Sequence, residues 1–251
     1  MITLRPQRTF LAALAVLAVP TLAQTVRSIN IEQPKRDRLE EFRSAIADYN
    51  AALKRAGATT PYTMWSSQSG DSQYLQITDY EKWADLDKSP FAPQNYPAQA
   101  SEIALADQRI REANLSQRRV ILRLVPDASL PLTGENPTMM ILRWVRLAGP
   151  GHGQDYTAAI KTDLLPSVRK SGIKSYSLWQ VWFGTEQSQY LSLLPLDHWA
   201  LFDQPDPIVT AMGNESYQRY RNKTTPIVAE VREDVYRFRP ELSYLPSPAK
   251  K

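Results

Sequence analysis

The sequence predicts an α+β protein made of two tandem ferredoxin-like (βαββαβ) repeats packed sheet to sheet, which together form an internal α+β barrel. Three observations carry that expectation: a long-range internal repetition, the same order of strands and helices on both sides of it, and an apolar sheet face in each half that needs a partner. Residues 72–87 and 188–203 share seven identities at one spacing: Ser72/Ser188, Gln73/Gln189, Tyr74/Tyr190, Leu75/Leu191, Trp83/Trp199, Ala84/Ala200 and Asp87/Asp203, each 116 residues apart. Tyr62/Tyr176, Trp65/Trp179 and Gly70/Gly184 recur at an offset of 114, and the segment Arg123–Ser129 answers Arg237–Ser243. So long a period does not suit a solenoid unit and fits a duplicated small domain.

In the first repeat, Val26 to Ile31 alternates like a strand, and after Pro34 the residues Leu39, Phe42, Ile46, Tyr49 and Leu53 share one helical face. Gly57 ends that helix. Tyr62 to Ser67 and Gln73 to Thr78 read as a hairpin turning at Gly70-Asp71. Asp79 is placed to cap a short helix bearing Trp83 and Leu86; Ser101 to Asn114 is a longer helix, and Val120 to Val125 the closing strand. The second repeat replays this order. Met140 to Leu147 is its first strand, Gln154 to Arg169 its first helix, and Ser175 to Phe183 with Gln189 to Leu194 its hairpin. Asp197 opens a short helix with Trp199 and Phe202, Asn214 to Val231 forms the long helix, and Asp234 to Phe238 the last strand. The expected boundaries are a signal peptide at 1–23, a first repeat at 24–130, a linker rich in Pro, Gly, Asn and Asp at 131–137, and a second repeat at 138–251.

The signal peptide is read from Arg5 and Arg8, the apolar run Phe10 to Val19 and the small-residue site Thr21-Leu22-Ala23, which imply a periplasmic or secreted protein. The run is too short for a membrane span, so no stable span is expected after cleavage. The chain has no cysteine, which excludes disulfides, a thiolate nucleophile and a lipidated cysteine anchor. The formal charge of +4 loses two arginines with the signal, and no basic run interleaved with aromatics follows a phosphate backbone, so nucleic acid is not an expected partner.

Four segments together carry a family resemblance: Pro150-Gly151-His152, Ser175-Tyr176-Ser177-Leu178-Trp179, Asp197-His198-Trp199-Ala200-Leu201-Phe202-Asp203, and the closing run Val235 to Tyr244. In this two-copy pattern the chain resembles exported proteins of the dimeric α+β barrel superfamily, whose relatives include NIPSNAP-like and antibiotic-biosynthesis-monooxygenase-like domains. The resemblance covers nearly all of the mature chain and concerns architecture and packing positions. It implies a range of activities: cofactor-free oxygenases, haem-degrading and haem peroxidase-like enzymes, and ligand-binding modules. It brings no catalytic motif with it.

Candidate functional residues are few. Arg123 and Arg237 hold matching places in the closing strands among apolar neighbours, and would await an anion if their face were the barrel interior. Their other reading is an internal salt bridge or an exposed edge. Trp65, Trp83, Trp179, Trp199 and the tyrosines at 62, 74, 176 and 190 recur in both halves and read as core anchors or ligand-lining rings; Tyr62, Tyr176 and the unpaired Trp182 are retained as ligand candidates. The two histidines, His152 and His198, lack any chelate spacing, so no metal site is expected. Each suits a turn or solvent, or an axial haem ligand. The resulting expectation is an exported small-molecule-binding barrel, monomeric or weakly self-associating, without a cofactor. A cofactor-independent monooxygenase-like enzyme, a haem protein and a structural envelope protein remain as other readings; a crowded interior without a cavity would favour the last.

Overall fold

Strand β1, Val26–Pro34, sets the two-sided logic of the molecule. Arg27, Ile29 and Ile31 point to one face, and Val26, Ser28, Asn30 and Glu32 to the other, as strand alternation requires. The computed structural model describes residues 26–131, 137–185 and 188–246; the expected signal peptide and most of the expected linker lie outside them. Helix α1 follows at Leu39–Arg55, then β2 (Thr63–Ser67), β3 (Tyr74–Tyr80), α2 (Ala100–Ala113) and β4 (Asn114–Leu124). After the connection come β5 (Met139–Leu147), α3 (Gly153–Ala159), α4 (Leu165–Lys170), β6 (Ser177–Phe183), β7 (Gln189–Leu196), α5 (Pro207–Met212), α6 (Asn214–Thr224) and β8 (Val228–Phe238).

The eight strands close into one antiparallel barrel in the order β1-β3-β2-β8-β5-β7-β6-β4. The expected facing sheets are therefore joined edge to edge, at a β2–β8 seam and a β4–β6 seam, and neither sheet keeps an open edge. Inside the barrel lie Ile29, Leu75, Val120, Leu122, Leu142, Leu191 and Tyr236, all buried. Outside, α1 and α2 cover one half through Phe42, Leu53, Tyr62 and Ile103, and α3, α4 and α6 cover the other through Tyr156, Ile160, Leu165 and Tyr176. Each such buried side chain contributes roughly 1.5–3 kcal/mol.

Three sequence expectations are corrected. The single helix over 154–169 is broken by a wide turn at Ile160–Leu164 before Pro166, whose ring lacks the amide that a continuous helix would use. The long helix to Val231 stops at Thr224, because Thr225 precedes Pro226 and the β-branched Val228 and Val231 enter β8. Asp79 caps nothing: it stays in β3 and ion-pairs with Arg27. The short 3-10 helix begins after Lys82 instead.

The two hairpin glycines are held by the seams. Gly184 has φ +93°, and a Cβ there would overlap the backbone oxygen of Arg119 in β4 and come within 2.9 Å of the Val120 Cα. Gly70, with φ +69°, would instead meet the carboxylate tip of Asp234 in β8. A side-chain tip moves more easily than a strand backbone, so Gly184→Ala is expected to cost roughly 3 kcal/mol in denaturant unfolding and Gly70→Ala less. Wild-type stability in Gly184→Ala would show that the seam is not packed this closely.

Candidate functional site

The outward face of β1 carries a carboxyl that the fold buries. Glu32 is 4% exposed beneath α1 and α2. Gln117 Nε2 of β4 donates to its Oε1 at 2.7 Å, and Asn114 Nδ2 donates to Oε2. Register explains the contact, since Glu32 and Gln117 are direct cross-strand partners. Next along the face, Asn30 Nδ2 donates to Gln76 Oε1 of β3 at 2.8 Å. These groups border a cavity of about 150 Å³ between sheet and helices, whose aromatic wall includes Tyr49, Tyr62 and Phe91. At roughly 30 Å³ per water it has room for a few waters or one substituted ring.

Burial pushes the Glu32 carboxyl up to about 7; the hydrogen bonds from Gln117 and Asn114 hold it from rising further, and the charge of Asp107 on α2 adds to the rise. The group therefore exchanges its proton near neutral pH. Asn114 Oδ1 is buried without a hydrogen-bond partner, the one such side-chain atom among the described residues. A proton on Glu32 would bring a donor into a neighbourhood that holds an orphan acceptor. Burial also holds the Tyr62 hydroxyl far above its ordinary range, so it stays protonated and donates to Asn50 Oδ1.

The other half of the barrel shows what the scaffold alone needs. In β5–β8 the pair matching Glu32–Gln117 is Val145–Val231, and the position matching Asn114 is Val228. Three valines thus occupy the places of three polar side chains in the same architecture. Val145 is buried, Val228 half-buried and Val231 exposed, so the architecture does not demand polar side chains here, and the desolvation cost in the first half falls on the buried Glu32 and Asn114. Desolvated groups with shifted protonation of that kind cluster at functional sites.

The sequence-predicted residues are not brought together. Leu122 and Leu124 beside Arg123, and Tyr236 and Phe238 beside Arg237, line the barrel interior, so both arginines point outward. The condition for an anion site, an interior placement, is therefore not met. Each instead spans a seam: Arg123 reaches Gln180 Oε1 at 3.2 Å and lies 4.5 Å over the Trp182 ring, and Arg237 reaches Gln68 Oε1 at 3.4 Å. Trp182 is a surface residue whose ring lies tilted against Trp83, centroids 5.5 Å apart. Tyr176 is buried under the helices of the second half, while Tyr62 alone of the five lines the Glu32 cavity. His198 is exposed and His152 half-buried, and neither borders that cavity. Among the described residues no cluster of three His, Cys, Asp or Glu could hold a metal, and no helix is long and apolar enough to cross a membrane.

Sequence reasoning missed Glu32, Asn114 and Gln117. The signal was present as a difference between the halves, and a search for shared identities passes over it.

No family model and no curated protein matches the chain. Solved structures do. An anthrone oxidase-like protein shares 14% identity with a TM-score of 0.59, over 86% of this chain and 92% of its own. A candidate monooxygenase of Lactobacillus acidophilus shares 12% identity with a TM-score of 0.56, over 86% and 94%. A haem-binding protein of Thermus thermophilus shares 10% identity with a TM-score of 0.51, over 87% and 92%. At such identities the likeness is one of fold: the chain shares the α+β barrel architecture of these proteins.

Proposed function

We propose that this protein is an exported small-molecule-binding α+β barrel, and that the Glu32 cavity is the site that binds and exchanges protons with its ligand. The observation that carries the reading is the asymmetry between Glu32–Asn114–Gln117 in one half and Val145–Val228–Val231 in the other. We read the halves as tandem ferredoxin-like repeats, 24–130 and 138–251 joined by 131–137, of a NIPSNAP-like or antibiotic-biosynthesis-monooxygenase-like branch. The shared element order and the recurring residues support this. On this reading the two halves differ at one place, polar around Glu32 and apolar around Val145. The ligand is a small, hydrogen-bonding molecule, offered a protonatable carboxyl by Glu32, amide groups by Asn30 and Gln76, and ring faces by Tyr49 and Phe91.

A second reading makes the same site an enzyme. A buried carboxylate that accepts a proton near pH 7 is what a cofactor-independent oxygenase needs to turn a bound phenol or enol into the anion that reacts with oxygen. The fold neighbours include a haem-binding protein beside the monooxygenase and anthrone oxidase-like ones, so this reading rests on the Glu32 cavity, which neither histidine borders.

Native mass spectrometry of protein purified from its own host tests the binding claim. Wild type is expected to carry a small molecule that a Glu32→Val, Asn114→Val, Gln117→Val triple variant loses while staying folded, since the other half already folds with those valines. The same mass on both proteins, or none on wild type, would count against the reading.

A further inference from the structure

Strand β1 serves a second cavity on its opposite face. At the end of the barrel where β1, β2, β5 and β6 begin, a predominantly apolar cavity of about 310 Å³ is bordered by Trp65, Trp179, Ile77, Leu193, Leu124 and Met140, with Pro131 and Pro137 at its edge. Much of the lining is repeated across the barrel. Trp65 Nε1 donates to Thr63 Oγ1 at 3.0 Å and Trp179 Nε1 to Ser177 Oγ at 2.9 Å, so both indoles have satisfied N–H groups and fixed orientations.

One pair breaks the repetition. Arg27 and Asp79 are cross-strand partners in β1–β3, and the corresponding partners in β5–β7 are Met140 and Pro195. The scaffold accepts an uncharged pair here, yet the first half places a two-pronged ion pair, Nε to Oδ1 at 2.6 Å and Nη2 to Oδ2 at 2.8 Å. The Arg27 side chain is 16% exposed and that of Asp79 50%, and the guanidinium also lies 4.1 Å over the Trp179 ring. It thus reaches from β1 to a tryptophan of the other half, and with Asp79 forms a polar edge, open to water on the Asp79 side, in a mainly apolar cavity.

We propose that this barrel-end cavity is a second binding site, separate from the Glu32 cavity, that takes a flat, uncharged, mainly apolar molecule of about two fused rings. Its rings lie among Trp65, Ile77 and Leu193, and its single hydrogen-bonding edge meets the Arg27–Asp79 pair. The volume sets the size, roughly ten waters' worth against five for the Glu32 cavity. The neutral charge follows from the pair: Asp79 already compensates Arg27, so a charged ligand would lose its hydration without gaining an unpaired counter-ion. The flat shape follows from the Trp65 indole, a ring face held in one orientation by its bond to Thr63.

Isothermal titration calorimetry with neutral 2-naphthol and anionic 2-naphthoate, on the full chain, decides the matter. Naphthol is expected to bind wild type with a dissociation constant below about 1 mM, and naphthoate roughly tenfold more weakly. Arg27→Met, which copies the uncharged counterpart Met140, is expected to weaken naphthol roughly tenfold, and Glu32→Gln to leave it unchanged. Leu193→Phe, which fills the cavity from the other half, is expected to abolish binding and carries the test should Arg27→Met lower the melting temperature. Absent binding to wild type, a preference for naphthoate, or unchanged affinity in both Arg27→Met and Leu193→Phe would overturn the proposal. Loss of naphthol binding in Glu32→Gln would place the ligand in the other cavity and overturn it equally. The converse failure, of a co-purified ligand to depend on the polar trio, leaves this site untouched.

Discussion

Glu32→Gln is expected to stabilise the protein by about 3 kcal/mol at pH 8 and to change its stability little near pH 4. The carboxyl sits at about 7 when folded, against an ordinary value of 4.5. Below 4.5 both states hold the proton, and the group adds nothing to pH dependence. Between 4.5 and 7 the unfolded chain gives up its proton first, so rising pH draws the equilibrium toward unfolding. Above 7 the folded protein carries a buried carboxylate and the full penalty applies. Gln is neutral throughout and close in size, so the variant lacks the penalty. Denaturant unfolding of both proteins at the two pH values checks this. A stability difference equal at pH 4 and pH 8 would mean that Glu32 ionises as an ordinary carboxyl.

Separating the halves is expected to have the larger effect. Expressed as 26–131 and 137–246, each piece loses both seams, so β2 and β4 in one, and β6 and β8 in the other, become open edges. Leu122 and Leu142, fully buried in the barrel, would face water. Open edges beside apolar faces pair with whatever is available, so insoluble or self-associated fragments are expected, without the cooperative melt of the intact chain. Analytical ultracentrifugation with thermal melts reads this out. Two monomeric, cooperatively melting halves would show that the barrel closure is incidental to stability.

What the sequence revealed and what it hid divide along physical lines. Local signals were legible: the stripe Phe42, Ile46, Tyr49 and Leu53 became α1, and Gly70 and Gly184 became the hairpin turns with positive φ. Signals that depend on a distant partner were not. Whether Arg123 points into the barrel cannot be read from its alternation with Leu122 and Leu124, because both faces of this sheet are covered and both are apolar. Asp79 looked like a helix cap because its partner Arg27 lies 52 residues away. Glu32 stood in an alternating strand as one more polar residue. Only the pairing register, which sets it against Gln117 and beneath α1 and α2, makes it a buried acid.

The most direct test of the central claim is a carboxyl NMR titration of protein labelled with ¹³C at the glutamate side chains, wild type beside Glu32→Gln. The account predicts one glutamate resonance with a midpoint at about 7 that is missing from the variant. If every glutamate of the wild type titrates in the ordinary range near 4.5, Glu32 is solvated, and the proton-exchanging cavity does not exist.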